Sequence, residues 1–141
     1  MAGHVLGLWH LALKVTDLGK SRSFYQTFFG MQVVWQPDAD NVYLSSGRDN
    51  LALHQIPTSE IDGYRSRHGQ WLDHLGFIMD SPEAVDRLFA QAQQHGVKVV
   101  QGPKRHRDGS YSCYLADPDE NTVQVLYEPT VSGGKDAKNG D

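Results

Sequence analysis

The sequence predicts an α+β fold of two βαβββ modules that form a curved mixed sheet around a cavity. The first observation is an internal repeat, because His10–Val15 and His74–Met79 each open on a histidine and alternate apolar residues, 64 positions apart. The second is that a helical pattern and then three strand patterns follow each copy. Since one βαβββ unit is too small to bury a sheet face alone, two units must pair.

A helix is predicted after each repeated strand. Ser81 is a suitable N-cap in the second copy and Gly96 ends that helix, while Asp17 or Ser21 caps the first helix and Gly30 ends it. Apolar residues recur at helical spacing in both segments and predict the buried faces: Phe24, Tyr25, Phe28 and Phe29, then Val85, Leu88, Phe89 and Ala92.

The domain organisation follows from these patterns. We expect a single domain over residues 1–131, with modules at about 8–55 and 72–128. A polar linker rich in turn formers occupies 56–71, and a flexible tail covers 132–141.

Composition excludes several classes of function. The 141 residues carry 13 Lys+Arg against 17 Asp+Glu, a net charge of −4, so no basic surface for nucleic acid is expected. No apolar run approaches the roughly 20 residues of a membrane span, and the N-terminus lacks a signal-peptide pattern. The lone Cys113 cannot form an intramolecular disulfide, so we expect a soluble, cytoplasmic protein.

Three histidines and one glutamine can line one cavity. Strand alternation turns His10 and His74 away from the apolar core face, and His54 and Gln124 likewise on the fourth and eighth strands. A single histidine near a strand end is more often an exposed residue than a ligand, but equivalent positions in a repeat favour a shared role. Small neighbouring residues leave room for a ligand: Ala12, Ala52 and Gly76.

These motifs resemble the vicinal oxygen chelate superfamily, which includes glyoxalase I, fosfomycin-resistance enzymes, extradiol dioxygenases, methylmalonyl-CoA epimerase and bleomycin-resistance proteins. The resemblance covers about residues 8–129. The segments that carry it are a strand opened by His10, Asp17-Leu18, Phe24-Tyr25, Phe29-Gly30-Met31, Trp71-Leu72-Asp73-His74, His95-Gly96-Val97 and Asp117-Pro118-Asp119-Glu120-Asn121.

The resemblance implies a divalent metal ion, Zn, Ni, Mn or Fe. Carried over, the ligands are His10, His74, Gln124 and a residue near Ala52 or His54. Gln124 stands where the family pattern Asp-Pro-Asp-Gly-Asn-x-x-Glu places a carboxylate. An amide oxygen can coordinate an ion but cannot take a proton from a substrate, which argues against glyoxalase-type isomerisation and ring cleavage. His54 could compensate as a third imidazole.

Four further residues are predicted to border a substrate pocket. Tyr43 and Tyr114 lie on strands beside the predicted cavity, and Glu128 shares the face of Gln124 but lies roughly 13 Å further along. Arg105 belongs to a basic loop, residues 104–107, near the expected pocket mouth, where it could attract an anionic group.

Two functions remain open from the sequence. The first is a metal-dependent enzyme of the lyase, isomerase or dioxygenase type that acts on a small oxygen-chelating substrate. The alternative is a metal-free protein of the bleomycin-resistance type that binds or sequesters a small molecule. The resemblance also implies a homodimer.

Overall fold

The computed structural model describes residues 3–65 and 71–132. The predicted α+β fold of two βαβββ modules is confirmed. The chain divides into two compact units within the segment 56–71. Part of the predicted linker and nearly all of the predicted tail lie outside the described residues.

The first module contains one helix and a four-stranded mixed sheet. The order in the sheet is β1-β4-β3-β2, with β1 parallel to β4 and the other neighbours antiparallel. Its elements are β1 (His10–Val15), α1 (Leu18–Phe29), β2 (Gln32–Asp38), β3 (Asn41–Ser45) and β4 (Asn50–Gln55). A 3-10 turn (Thr58–Glu60) and a short helix α2 (Ile61–Arg65) follow, where the sequence predicts only a linker.

The second module repeats this topology. Its sheet has the order β5-β8-β7-β6, and β5 is parallel to β8. Its elements are β5 (Leu75–Ile78), α3 (Pro82–Gln94), β6 (Val99–Arg105), β7 (Tyr111–Ala116) and β8 (Thr122–Tyr127).

Both long helices begin and end at residues suited to caps. The Asp17 side chain accepts from the Lys20 backbone N–H at 3.0 Å, and Ser81 accepts from that of Ala84 at 3.1 Å. Asp17 is therefore the cap of α1, whereas Ser21, the alternative, is buried. Gly30 ends α1 at a φ of 63°, a conformation that glycine adopts without strain.

Alternation along the strands separates a buried face from a second face, as predicted. In β1 and β4 of the first module, Leu13, Val15, Leu51 and Leu53 are buried, and α1 packs against β4. In the second module the counterparts of Leu51 and Leu53, Val123 and Val125 on β8, are also buried, as are Cys113 and Leu115 on the neighbouring strand β7. The predicted histidines lie on the other face of each sheet or at its edge.

The strands β2 and β6 each continue through a proline. Pro37 lies within the register irregularity between Trp35 and Asp38, and Pro103 within that between Gln101 and Lys104. Both strands are at the edge of their sheet, where a missing N–H is tolerated. The expectation that Lys104 and Arg105 belong to a loop is therefore wrong, since both lie in β6.

No helix in residues 3–65 or 71–132 is both long and apolar enough to cross a membrane.

Candidate ligand-binding site

In the first module, the face of the sheet opposite α1 carries His10 at the start of β1. Ala12 and Lys14 follow on the same side of this strand, and all three residues are exposed. The register pairs Ala12 with Ala52 on β4, and Ala52 with Tyr43 on β3. The Tyr43 ring stacks against His10 at a centroid distance of 6.3 Å. We call this surface the module 1 face.

The His10 imidazole is held by a side-chain hydrogen bond. Its Nδ1 lies 2.6 Å from the Oδ1 of Asn50, which is its direct register partner. Because an amide oxygen can only accept, Nδ1 donates to it and Nε2 is the nitrogen left to face a ligand. A metal-binding histidine is oriented in this way by a partner of its second nitrogen.

His54 lies on the same face, but at its far end. Its register partner on β1 is Lys14, four positions from His10, which separates the two histidines by roughly 13 Å along the strands. The Tyr43 ring lies 6.3 Å from the His10 ring and 5.9 Å from the His54 ring. His10 and His54 therefore do not ligate one ion together, and we leave His54 out of the proposed ligand set.

An asparagine also orients the His54 ring. Nδ1 of His54 lies 2.6 Å from Oδ1 of Asn41, and the amide nitrogen of Asn41 donates to Asp38 at 2.8 Å. Because Asp38 accepts from the amide nitrogen of Asn41, the amide oxygen must face the imidazole ring. Nδ1 of His54 is thus occupied, and Nε2 points to a ligand, as in His10.

In the second module, His74 and Gln124 lie on the face opposite α3. His74 directly precedes β5, and the register pairs Gly76 with Gln124. Nδ1 of His74 is 2.6 Å from the carboxylate of Asp73, which leaves Nε2 for a ligand. A Cβ at position 76 would lie 3.4 Å from Oε1 of Gln124, so the glycine keeps this oxygen open. We call this surface the module 2 face.

Tyr114 connects the two candidate ligands of the module 2 face. Its hydroxyl accepts from Nε2 of Gln124 at 3.1 Å, and its ring meets the His74 ring edge-on at 5.5 Å. The hydroxyl oxygen accepts from the amide, so its own hydrogen can be donated to a bound molecule. Tyr114 pairs with Gln124 in register as Tyr43 pairs with Ala52, so the two tyrosines occupy equivalent positions.

Two predicted pocket residues have other surroundings. Arg105 pairs in register with Tyr111, its guanidinium lies 5.0 Å from the Tyr111 ring centroid, and Tyr111 donates to Asp86 of α3 at 2.6 Å. Arg105 is thus on the helix-covered side of the sheet, and its predicted place at the pocket is wrong. The Glu128 carboxylate accepts from the backbone and hydroxyl of Thr130 and so stabilises the turn after β8.

The structure adds residues that sequence reasoning missed. Asn50 and Asn41 orient histidines, a role that alternation alone could not assign because it depends on the pairing of strands. Lys104 pairs with Ser112 on the module 2 face. Counting back from the tight turn at Asp108-Gly109 would have found this, since it pairs Arg105 with Tyr111 and Lys104 with Ser112.

The donor set fits a borderline divalent ion. Imidazole nitrogens and an amide oxygen are ligands that such ions accept. Within the residues that the structure describes, no three His, Cys, Asp or Glu side chains cluster. Cys113 does not join the set, because it lies on the helix-covered face and burial raises the pKa of its thiol to about 11.

Comparison with known proteins supports one family. The family model described as Glyoxalase/Bleomycin resistance protein/Dioxygenase superfamily matches residues 7–125. An uncharacterised protein of Pseudomonas aeruginosa is 30% identical over 136 residues, 92% of this chain and 94% of that protein. Metallothiol transferase FosB of Bacillus licheniformis is 32% identical over 86% of this chain and 75% of its own length.

A larger enzyme and a solved structure are also similar. The 2,2',3-trihydroxybiphenyl dioxygenase of Sphingomonas paucimobilis is 30% identical over 94% of this chain, which spans only 45% of that dioxygenase. The structure of lactoylglutathione lyase from Agrobacterium tumefaciens matches with a TM-score of 0.67 and 26% identity, covering 87% of this chain and 94% of that one. These relatives differ in activity, so they establish the family and not the reaction.

Proposed function

Because the chain belongs to the glyoxalase/bleomycin resistance protein/dioxygenase superfamily, we propose that it is a metal-dependent enzyme acting on a small substrate with adjacent oxygen atoms. The observation that carries this proposal is the equivalent placement of His10 and His74, each with Nδ1 bonded to an oxygen and Nε2 presented to a ligand. His10, His74 and Gln124 are the proposed ligands.

Each residue has a distinct part in this proposal. The ion, Zn, Ni, Mn or Fe, would polarise the oxygens of a chelating substrate. Gln124 contributes a neutral oxygen and leaves the charge of the ion uncompensated, which favours an anionic or ionisable substrate. The Tyr114 hydroxyl, fixed by Gln124, donates its hydrogen to a substrate oxygen. A lyase, an isomerase and a dioxygenase all use this polarisation, and no carboxylate base is proposed at position 124.

The test is metal affinity in protein without a histidine tag. We expect stoichiometric binding of one of these ions by titration calorimetry, and a loss of at least a hundredfold in His10→Ala and His74→Ala. His95→Ala is the matched control, since His95 lies at the end of α3. His54→Ala should also leave the affinity unchanged. Equal losses in all four variants, or no binding by the unmodified chain, would contradict the proposal.

A second candidate is a metal-free binding protein of the bleomycin-resistance type. It is favoured by the absence of charge at two equivalent positions, Ala52 and Gln124, and by the contact of Trp35 with Tyr43 at 4.9 Å, which offers aromatic surface. Tight binding of an aromatic ligand that persists in excess chelator supports this function. Loss of that binding on addition of EDTA supports the metal-dependent one.

We also propose a cytoplasmic homodimer. The edge strand β2 exposes Val33, Val34 and Trp35, and contiguous apolar surface of this kind marks an association site. Cys113 is buried and free, which suits a reducing compartment. Light scattering should give twice the chain mass, and Trp35→Lys should shift the equilibrium to the monomer. A monomeric unmodified chain at micromolar concentration would contradict the dimer.

A further inference from the structure

The far end of the module 1 face carries a polar cluster that the proposed metal site does not use. Lys14 of β1 and His54 of β4 are direct register partners on this face. Neighbouring strands lie about 4.8 Å apart and register partners send their side chains to the same side of the sheet, so Lys14 and His54 are neighbours on this face. In the second module the equivalent pair is Ile78 and Leu126, both apolar.

The Lys14 ammonium is positioned by Tyr64 of the short helix α2. It donates to the Tyr64 hydroxyl at 2.8 Å and lies 5.4 Å from the centroid of that ring. Among residues 3–65 and 71–132, no carboxylate forms an ion pair with Lys14. One hydrogen of the ammonium is therefore used within the module, and its charge is left for an external partner.

The His54 imidazole completes the cluster. Its Nδ1 is held by Asn41 at 2.6 Å and its ring is edge-on to Tyr43, so Nε2 has a set orientation. Because Nδ1 already donates to Asn41, Nε2 donates to an anion when the ring is an imidazolium, and a fixed ring loses little rotational freedom on binding. The nearby carboxylate of Asp38 is bonded to the amide of Asn41, which stands between it and the ring.

We infer that Lys14 and His54 form a subsite for an oxyanion, a carboxylate or a phosphate group, on the module 1 face. A fixed ammonium and a fixed imidazole, side by side and without a neutralising carboxylate, are complementary to such a group. The inference does not require a metal ion. If the proposed function also holds, a ligand that reaches both His10 and this subsite is about 13 Å long and passes over Tyr43.

The experiment uses the full chain labelled in its histidine rings, freed of metal with EDTA that is then removed by dialysis, and at constant ionic strength. Acetate, benzoate and inorganic phosphate are added while the imidazole resonances are recorded, and His54→Gln identifies the His54 signals. We expect a saturable shift of the His54 ring in the millimolar range and none for His95. Tighter binding of phosphate than of acetate identifies a dianion as the preferred group. Tighter binding of benzoate than of acetate indicates that the Tyr43 ring contacts the bound anion.

Two lysine variants decide the outcome. Lys14→Gln should weaken anion binding about tenfold, as expected for loss of one charge-assisted contact. Lys20→Gln removes an exposed lysine of α1 and should have no effect. Unchanged His10 ring signals confirm that both variants are folded. Equal binding curves for the unmodified chain and Lys14→Gln, or shifts that never saturate, would overturn the inference. His10→Ala should leave anion binding intact, which separates this subsite from the proposed metal site.

Discussion

The two modules share one backbone plan and differ in what they place on it. At equivalent register positions, the module 1 face has Ala52 and the module 2 face has Gln124, while Tyr43 and Tyr114 correspond. Two residues further along the same face, the first module has the polar pair Lys14 and His54. The second module has the apolar pair Ile78 and Leu126 at the equivalent positions. The comparison shows that the repeated fold fixes where histidines and tyrosines lie, whereas the residues around them give each half its own chemistry.

The largest expected effect is on the free energy of unfolding. It tests whether the buried faces of the two modules contribute equally. Leu53 is fully buried on β4, and its counterpart on β8 is Val125. Leu53→Ala should lower the free energy of unfolding by about 2–5 kcal/mol, and Val125→Ala by about 1.5–3 kcal/mol, because less volume is lost.

Denaturant unfolding followed by circular dichroism measures both values. An additional transition in only one variant would show that the halves unfold separately. A loss below about 0.5 kcal/mol in Leu53→Ala would break the equivalence of the two cores.

The second prediction restores the carboxylate that the second module lacks. Gln124→Glu should raise the affinity for Zn²⁺ or Mn²⁺ about tenfold to a hundredfold, since a charged oxygen replaces a neutral one. Tyr114 can still bond to it by donating instead of accepting. Titration calorimetry measures the change. Leu126→Glu is the control, because it adds the same charge two positions along β8; an equal gain there would assign the effect to general electrostatics.

The third prediction compares the asparagines that orient His10 and His54. Asn50→Ala removes the acceptor of His10 Nδ1, and we expect metal affinity to fall about tenfold. Asn41→Ala makes the same change beside His54 and should leave metal affinity unaltered. Equal losses of affinity in both variants would make His54 a ligand. That result would contradict the exclusion of His54 that follows from its pairing with Lys14.

The smallest expected effect is on the pH dependence of the free energy of unfolding. It comes from Cys113, whose counterpart on β3 is Val42. Burial raises the pKa of the Cys113 thiol from 9.0 to about 11, so the folded state holds this proton more tightly than the unfolded chain. The resulting stability is complete below pH 9 and is lost as the pH rises through 11. Its loss at pH 10 should be about 1 kcal/mol.

Cys113→Val makes the two modules alike at this position and should abolish that component of the pH dependence. Urea unfolding at pH 8 and pH 10 provides the measurement for both proteins. The same loss in both would assign the pH dependence to other groups.

The sequence by itself determined the repeat, the helices with their caps and the residues that face the core. These features depend on local spacing, because alternation in a strand and periodicity in a helix are properties of neighbouring residues. The equivalence of His10 and His74 could be recognised for the same reason.

Only the tertiary structure decided which side chains act together. Strand pairing separated His54 from His10. It also brought Asn50 to His10 across 40 residues of chain. The register of β1 against β4 arises from contacts between segments 40 residues apart, so no local pattern in the sequence encodes it.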